Sequence, residues 1–560
     1  MKRIFPQTLS RPASPLVHAT CATLYLGGVL NAPVFHRRLT SGAVDAGALL
    51  LELSLVLSVT FLIVYLSSFC GRLLFRCLMA LTLLCSAVAS YYATFYNVVI
   101  GHGIVESVFT TEMDLINEVA GIELYAWVLV LGALPGLYVW FASREHHSIL
   151  HAGRRRREAL IAIALLGVAA LAGNGAVRAL DAGDKRKASD QTGDLPDSAS
   201  LVAHRYLPSN WITGLGMSLA SVWQQQVQAR TLVSPAEQYA WSMPDHLKDA
   251  VVVLVIGETA RWDHLSLLGY SRRTTPLLEN EPTLVALRGE ACDTATALAL
   301  RCMFVRPEGF RTAPNEPGIE TEDNVFSVFK SLGFSIELFA MQAEVGFYNR
   351  THADHYKIRE VITAEPYNAG QPIDDILLVR EMKASIKRWE QSGRGQPHLV
   401  ILHTKGSHYH YSKRHPREFA AFQPECLGGD RQCSRETLIN SYDNSILYTD
   451  HVLHAVMDTL RDRKAFMFYV SDHGESIDDD LHFHGTPKAI APPEQLAVPL
   501  LLWFSEPWLA DKGNARRLEA LKSRSGETRP HTDIFDALLG CAGIVSPDGG
   551  INPQRNWCEP

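Results

Sequence analysis

Carboxylate and imidazole side chains follow three apolar runs of the sequence, at the point where each run ends. Glu258 follows VVVLVIG, His408 closes HLVILHTKGSH, and AFMFYVSDHGES contains Asp472 and His473, with His484 soon after. Carboxylate and imidazole ligands together suit Zn2+ or a comparable divalent cation, and a catalytic site leaves one position open for the reacting group. Each residue alone is equally well explained as a solvated turn residue, but together they predict a metal site.

A hydroxyl group that such a metal would activate lies in CDTATALALRC, residues 292–302. A divalent cation either activates a bound water or lowers the pKa of a bound side-chain hydroxyl, which makes it a nucleophile. Thr294 and Thr296 are two residues apart inside a loop that a Cys292–Cys302 disulfide would hold in place. The alternative for either threonine is the N-cap of the following helix, and both roles are compatible because a helix N-terminus also stabilises a phosphate.

The elements that must position these residues are predicted from about residue 248 onward, where short apolar runs alternate with helical stretches. This alternation is typical of a mainly parallel sheet covered by helices, in which the chemistry lies beyond the carboxyl ends of the strands. The predicted strands lie near residues 250–256, 334–340, 398–404, 465–471 and 498–504.

The region before residue 180 is far more apolar than the rest of the chain. The 560 residues are 47% apolar, and the mean hydropathy of +0.01 is high for a purely soluble protein of this size. Crossing a bilayer takes about 20 apolar residues. Spans are predicted near residues 16–35, 45–67, 74–96, 122–142 and 159–178. We interpret the first as an anchor rather than a removed signal peptide, because no small-residue cleavage site follows it.

Lysine and arginine residues set the predicted orientation of these spans. They occur at the start of the chain, in the second loop and in the fourth loop, whereas the third loop, residues 101–121, contains none. Arg37 and Arg38 in the first loop oppose this pattern. An N-terminus inside the cell and five crossings place everything after about residue 180 outside the cytoplasm.

The ten cysteines agree with this topology. Four lie in the apolar region, where a lone cysteine behaves as a small hydrophobe. The other six fall into pairs that are close in sequence, and short loops close at little entropic cost, which favours three local disulfides. The predicted pairs are Cys292 with Cys302, Cys426 with Cys433, and Cys541 with Cys558. Disulfides indicate an oxidising compartment, and the absence of C-x2-C spacing argues against zinc thiolate sites.

Three regions are therefore predicted: a transmembrane domain at 1–180, a linker at 181–247 and a catalytic domain at 248–560. In the linker, apolar residues of 208–230 lie three or four apart, which predicts a helix that either lies on the membrane surface or packs against the catalytic domain. In the third loop, Ser107 and Thr111 would share one helix face, although a solvated acidic helix explains them equally well.

Several motifs resemble those of the phosphoethanolamine transferases, inner-membrane enzymes of Gram-negative bacteria in the alkaline-phosphatase superfamily. The motifs are GETARWDH, CDTATALALRCMF, HTKGSH, SYDNSILYTDH and SDHGES with a later HG, and the resemblance covers essentially the whole chain. RCMFV, KRHPREFA, HGTPKAIAPPEQ and SPDGGIN with NWC resemble the branch that modifies the outer Kdo sugar of lipopolysaccharide, rather than the branch that modifies lipid A.

The resemblance implies a membrane domain of five transmembrane helices and an α/β alkaline-phosphatase-like domain in the periplasm. It implies one Zn2+, with a second metal as an alternative, and four ligands, which are Glu258, Thr296, Asp472 and His473. Thr296 would be the nucleophile that carries phosphoethanolamine, whereas Thr294 matches a non-nucleophilic position. His408 and His484 would contact the phosphate, transfer protons or bind the second metal.

The implied donor is phosphatidylethanolamine, the acceptor is lipopolysaccharide, and the released product is diacylglycerol. We expect a monomer that contacts membrane lipids and binds no nucleic acid. Substrate contacts are expected from Gln342, Ser107 and Thr111, with two departures from the lipid A branch. That branch has an Asn and a Lys after the second strand, where this chain reads FAMQAEVGFYN, and a Glu where this chain has Leu115.

Other reactions remain alternatives. Transfer to a lipid A phosphate needs the same donor, and phosphoglycerol transfer uses the same kind of anchor and threonine. A hydrolase of sulfatase or phosphatase type is disfavoured because sulfatases need a modifiable Cys or Ser where this chain has Thr296. A non-catalytic sensor is disfavoured because packing alone does not require four such polar residues together.

Overall fold

The computed structural model describes residues 15–40, 46–105, 121–143, 205–228, 232–311, 318–393, 395–428, 433–477 and 483–559, and four isolated positions between 160 and 167. The chain divides into two compact units, one built mainly from residues up to 216 and the other mainly from residues 217 onward. Each unit has a hydrophobic core of its own.

The first unit is helical. Its first helix continues directly into a π-helical segment at Leu24–Val29. The helices are α1 (Pro15–Thr23), α2 (Ala32–Thr40), α3 (Ala46–Ser67), α4 (Arg72–Phe95) and α5 (Ile122–Ala142), and α6 (Ser209–Gln228) leads into the second unit. The helix predicted at 208–230 is thereby confirmed, while the surface that its exposed Leu219 and Trp223 meet stays a prediction.

Three of the predicted spans are confirmed as helices long and apolar enough to cross a membrane, namely α3, α4 and α5. The span predicted at 16–35 is wrong as a single helix, because the chain turns at Asn31. The Asn31 amide donates to two carbonyls of the preceding turn, both at 3.1 Å, and Pro33 has no N–H to extend that turn. The span predicted at 159–178 lies outside the described residues apart from isolated positions.

The two arginines that oppose the orientation pattern both have partners within the first unit. The Arg37 guanidinium donates to the carbonyl oxygens of Thr94, at 3.1 Å, and Ala93, at the end of α4, where the helix dipole favours a cation. Arg38 forms a salt bridge of 2.6 Å with Glu52 inside α3. These contacts give both residues a structural role at that end of the helices.

The strands of the second unit are β1 (Val251–Gly257), β2 (Leu284–Glu290), β3 (Phe310–Arg311), β4 (Ile319–Glu320), β5 (Ser335–Ala340), β6 (His355–Ile358), β7 (His398–His403), β8 (Ala465–Ser471), β9 (Ala497–Phe504) and β10 (Thr528–Pro530). Eight of them form one sheet in the order β10-β2-β9-β8-β1-β7-β5-β6, and β3 and β4 form a separate two-stranded pair. β9 runs antiparallel to β2 and β8, and the other pairs of the large sheet are parallel. The predicted mainly parallel sheet is therefore confirmed.

All five predicted strands are present within one or two residues of their predicted bounds. The sequence missed β2, β6 and β10 of the large sheet, which have exposed polar positions and are too short or too mixed to form an apolar run. It also missed the two-residue strands β3 and β4. The central β1 is buried along its whole length, so its sequence is apolar on both faces.

The two faces of the sheet pack into different cores. On β1, Val252 and Leu254 belong to one hydrophobic cluster and Val251 and Val253 to the other. The helices of this unit are α7 (Pro235–Gln238), α8 (Thr296–Cys302), α9 (Val325–Ser331), α10 (Val345–Tyr348), α11 (Arg359–Ala364), α12 (Ile376–Gln391), α13 (Arg435–Leu460), α14 (Glu506–Leu509), α15 (Lys512–Ser523) and α16 (Ile534–Ala542). Of these, α9, α15 and α16 pack in the first cluster and α12 and α13 in the second.

All three predicted disulfides are present. Cys292 pairs with Cys302, Cys426 with Cys433, and Cys541 with Cys558. The remaining four cysteines, in the helical unit, form no disulfide bond. The first disulfide flanks α8, and the third joins α16 to the end of the described chain.

We expect the double variant Cys541→Ala/Cys558→Ala to lower the free energy of unfolding by about 3 kcal/mol, because the disulfide closes a loop of 17 residues. Thermal or denaturant unfolding of the full chain in detergent measures the change. Cys77→Ala, which removes an exposed unpaired thiol, is the matched control and should change little. Equal stability of the double variant and the wild type would contradict the prediction.

Candidate active site

Glu258 lies directly after β1 and is buried, with both carboxylate oxygens in contact with other side chains. Its Oε2 accepts hydrogen bonds from Thr296 Oγ1 at 3.2 Å and from Gln342 Nε2 at 2.8 Å. Its Oε1 accepts one from the hydroxyl of Thr259. The sheet thus brings together Glu258 and Thr296, which are 38 residues apart in sequence.

Asp472 and His473 reach the same point from the end of β8, which pairs with β1. Oδ1 of Asp472 accepts the backbone N–H groups of Thr259 at 3.1 Å and His473 at 2.7 Å. Its Oδ2 is buried, has no hydrogen-bond partner among the described residues, and lies 3.4 Å from Nε2 of His473. A buried carboxylate oxygen in this condition is suited to a cation.

The His473 ring is oriented by a hydrogen bond of 2.9 Å between its Nδ1 and the carbonyl oxygen of Gly474. A carbonyl only accepts, so Nδ1 carries the proton and Nε2 presents a lone pair. Nε2 lies 3.2 Å from Thr296 Oγ1 and 3.5 Å from Glu258 Oε1. This is the tautomer and orientation of a metal-binding histidine.

The backbone after β1 is unusual at Thr259, which has a φ of 61°. A β-branched residue rarely adopts this conformation. It is held by a hydrogen bond of 2.8 Å from the Tyr442 hydroxyl to the Thr259 carbonyl and by the contact of its N–H with Asp472. The strained turn fixes Glu258 against Asp472.

The two buried carboxylates make the site strongly negative. Burial and the neighbouring Glu258 raise the pKa of Asp472 well above its usual value. A positive charge beside the site would stabilise the ionised form of Asp472. Glu258, His473 and His484 each offer a ligand atom, and these atoms lie within 4.8 Å of one another. The residues therefore fit a divalent metal.

His484 and His408 lie beside this cluster. The ring centroid of His484 is 4.2 Å from that of His473 and 5.6 Å from that of His408. Nδ1 of His484 lies 3.4 Å from a carboxylate oxygen of Glu475. Burial, with Lys405 as the next cause, holds the pKa of His408 well below its usual value, so its imidazole is neutral near pH 7.

Thr296 is the first residue of α8, and its N-cap is Ala295. The N-cap alternative is therefore wrong for both threonines, because Thr294 instead donates its hydroxyl to the carbonyl of Thr486. The hydroxyl of Thr296 is directed at Glu258 and His473, and its role as the nucleophile stays a prediction. Ser107 and Thr111 lie outside the described residues.

Sequence reasoning missed Lys405, although it stands inside HTKGSH. Its Nζ donates to Oε1 of Gln342 at 3.0 Å. It also missed Asp375, which accepts the backbone N–H groups of Lys405 at 2.7 Å and Gly406 at 2.8 Å. The signal for Lys405 was a lysine next to an apolar strand end, whereas Asp375 lies before a helix and gave no signal.

Two family models match the chain. Residues 250–544 match the sulfatase family, and residues 58–177 match the phosphoethanolamine transferase EptA/EptB family. The chain is similar to the Kdo(2)-lipid A phosphoethanolamine 7''-transferases of Escherichia coli K12 and Salmonella typhimurium. It is 44% identical to each, over 96% of its own length and 95% of theirs. This chain belongs to the phosphoethanolamine transferase family.

The recognition of a phosphoethanolamine transferase from the sequence is thereby confirmed. The fold is that of the integral membrane lipooligosaccharide phosphoethanolamine transferase A of Neisseria meningitidis, with a TM-score of 0.77 at 24% identity. The match covers 97% of this chain and 98% of that one. The phosphoethanolamine transferase described here thus combines apolar helices with a sheet domain of the sulfatase family.

Gly406 gives a prediction for the phosphoethanolamine transferase. Its φ is 49°, and a Cβ there would lie 2.5 Å from the carbonyl oxygen of Glu258. We expect Gly406→Ala to displace Glu258 and to lower kcat by about 10- to 100-fold, since small misplacements of catalytic groups cost that much. Steady-state assays of phosphoethanolamine transfer measure the change.

The matched control is Gly393→Ala, at a φ of 101° with open space around the added Cβ. It costs stability of about 1 kcal/mol through its backbone conformation and leaves kcat unchanged. Equal effects of both variants on kcat would contradict the assignment of the Gly406 loop to the site.

Proposed function

We propose that this enzyme transfers phosphoethanolamine from phosphatidylethanolamine to lipopolysaccharide, at the outer Kdo of Kdo2-lipid A. The position of the Thr296 hydroxyl, 3.2 Å from both Glu258 and His473, carries the proposal of a covalent two-step reaction. The acceptor follows from relatives that are 44% identical over nearly the whole chain and whose names specify Kdo2-lipid A.

Glu258, Thr296, Asp472 and His473 are the proposed ligands of one Zn2+, and His408 and His484 are candidates for a second. Three observations support this set. The two carboxylates are buried, His473 Nε2 presents a lone pair to them, and Oδ2 of Asp472 has no hydrogen-bond partner among the described residues. When bound, zinc would supply the positive charge that lowers the pKa of the Thr296 hydroxyl and polarises the phosphoryl group.

In the first step, Oγ1 of Thr296 attacks the phosphorus of phosphatidylethanolamine. A bond forms between Oγ1 and phosphorus, the bond from phosphorus to the glycerol oxygen breaks, and diacylglycerol leaves with a proton. The neutral imidazole of His408 and the neighbouring His484 transfer that proton or donate hydrogen bonds to the phosphoryl oxygens. The product on the enzyme is a phosphoethanolamine ester of Thr296.

In the second step, a sugar hydroxyl of the acceptor attacks the same phosphorus. Its proton passes to a histidine, the bond to Oγ1 breaks, and the Thr296 hydroxyl is regenerated. Gln342, whose Nε2 donates to Glu258 at 2.8 Å, is a proposed contact of the donor head group. Ser107 and Thr111 are further proposed substrate contacts.

Both proposed substrates are lipids, which explains a catalytic domain tethered to apolar helices. We propose a multi-pass protein of the Gram-negative inner membrane, with a catalytic domain from residue 248 in the periplasm and a monomeric state. The apolar helices α3, α4 and α5 and the three disulfides support this location.

We expect incubation with phosphatidylethanolamine to add one phosphoethanolamine to Thr296, because its hydroxyl forms the ester. Intact-mass and peptide mass spectrometry locate the adduct, and Thr296→Ala should carry none. Thr294→Ala is the matched control, since its hydroxyl is bonded to Thr486. An adduct with the mass of glycerol phosphate would favour a phosphoglycerol transferase, and turnover that survives Thr296→Ala would favour a hydrolase with a water nucleophile.

Removal of metal by a chelator is expected to abolish transfer and to lower the melting temperature, because a ligand that binds only the folded protein stabilises it. Zinc at stoichiometric concentration should restore both. A protein whose melting temperature and activity are the same before and after metal removal would contradict the metal site.

Lipopolysaccharide from cells that produce the wild type is expected to carry phosphoethanolamine on Kdo, and lipopolysaccharide from cells that produce Thr296→Ala should lack it. Mass spectrometry of the separated core and lipid A fragments makes the distinction. Phosphoethanolamine found on lipid A instead would replace the Kdo acceptor by a lipid A phosphate.

A further inference from the structure

A buried lysine lies behind the proposed metal centre. Lys405 follows β7 and is 6% exposed, and its Nζ donates to Oε1 of Gln342 at 3.0 Å. Gln342, 8% exposed, donates through Nε2 to Oε2 of Glu258 at 2.8 Å. The three side chains therefore form a directed chain of hydrogen bonds that ends at a proposed metal ligand.

The chain has a direction because of the chemistry of its members. A carboxamide has an NH2 group with two N–H donors on one side and a carbonyl acceptor on the other. Rotation by half a turn exchanges their positions. Lys405 has donors only, so it fixes the Gln342 carbonyl toward itself and the amide NH2 toward Glu258. Lys405 and the acceptor-only carboxylate of Glu258 thus favour the same orientation of Gln342, and loss of the lysine removes one of these two contacts.

The backbone that carries Lys405 is itself fixed on two sides. Asp375 accepts the N–H groups of Lys405 and Gly406 at 2.7 and 2.8 Å. The N–H group of Ser407 donates to the carbonyl oxygen of Glu258 at 3.0 Å. These backbone hydrogen bonds therefore fix the position of Lys405 relative to Glu258.

We propose that Lys405 is a positioning residue of the metal centre, which acts through Gln342 to hold the Glu258 carboxylate in its ligand orientation. The inference rests on the zinc site of the proposed function. Partners of this kind usually change metal affinity by about 10- to 100-fold.

The test is the zinc dissociation constant of the purified full-length protein, measured by competition with a chromogenic chelator. We expect Lys405→Met to weaken zinc binding by about 10- to 100-fold and Lys405→Arg to restore most of the loss, because arginine keeps a cationic donor. Saturating zinc should restore most of the kcat of Lys405→Met. Lys383→Met, at an exposed position on α12, is the matched control and should bind zinc as the wild type does.

A double-mutant cycle separates the proposed chain from independent effects. Gln342→Met should weaken zinc binding as Lys405→Met does, and the double variant should bind no more weakly than either single variant. Additive losses, or a Lys405→Met protein with wild-type zinc affinity, would overturn the positioning role. If Lys405→Met does not fold, Lys405→Arg and Gln342→Met are compared with the wild type, and unchanged zinc affinity in Gln342→Met overturns the role.

The zinc affinity of the wild-type protein distinguishes a failure of the metal site from a failure of the role of Lys405. Wild-type protein that binds no zinc would overturn the metal site itself and with it the purpose of Lys405. Wild-type protein that binds zinc only as tightly as Lys405→Met would overturn the lysine alone.

Discussion

The structure depends on one electrostatic conflict, the placement of two carboxylates, Glu258 and Asp472, side by side in the interior. Neither group has the solvent that normally stabilises its charge. Hydrogen-bond donors surround both carboxylates. The Gln342 amide and the Thr296 hydroxyl donate to Glu258, and backbone N–H groups donate to Asp472. These donors still leave a compact negative site. Such a site favours the binding of a small divalent cation.

The backbone contributes as much to this arrangement as the side chains. Because β1 and β8 are parallel neighbours in register, Gly257 lies opposite Ser471 and the residues after both strands meet. Gly257 is required there, since a Cβ at that position would collide with the ring of Tyr469. The left-handed conformation of Thr259 then aims its N–H at Asp472, so the turn both concentrates the negative charge and partly neutralises it.

The apolar runs made the central strands predictable, because a strand buried on both faces has an apolar sequence along its whole length. The carboxylate and histidine residues at their ends were predictable because the apolar run stops where the strand reaches solvent or a site. Edge strands such as β6 and β10 lack this signature. The relation of Lys405 to Gln342 was not predictable either, since it depends on two strands that lie beside each other although 63 residues separate the two side chains in sequence. The turn at Asn31 was obscured because a polar residue that bonds its own backbone changes the apolar pattern little.

The alternation of β1 between two cores also determines where this chain can change its length. Inserting or deleting one residue in β1 would exchange the side chains of both cores and rotate Glu258 away from its partners at once. The packing of both cores therefore constrains the length of β1. Changes of chain length are therefore expected to be tolerated in the connecting segments between strands rather than in β1.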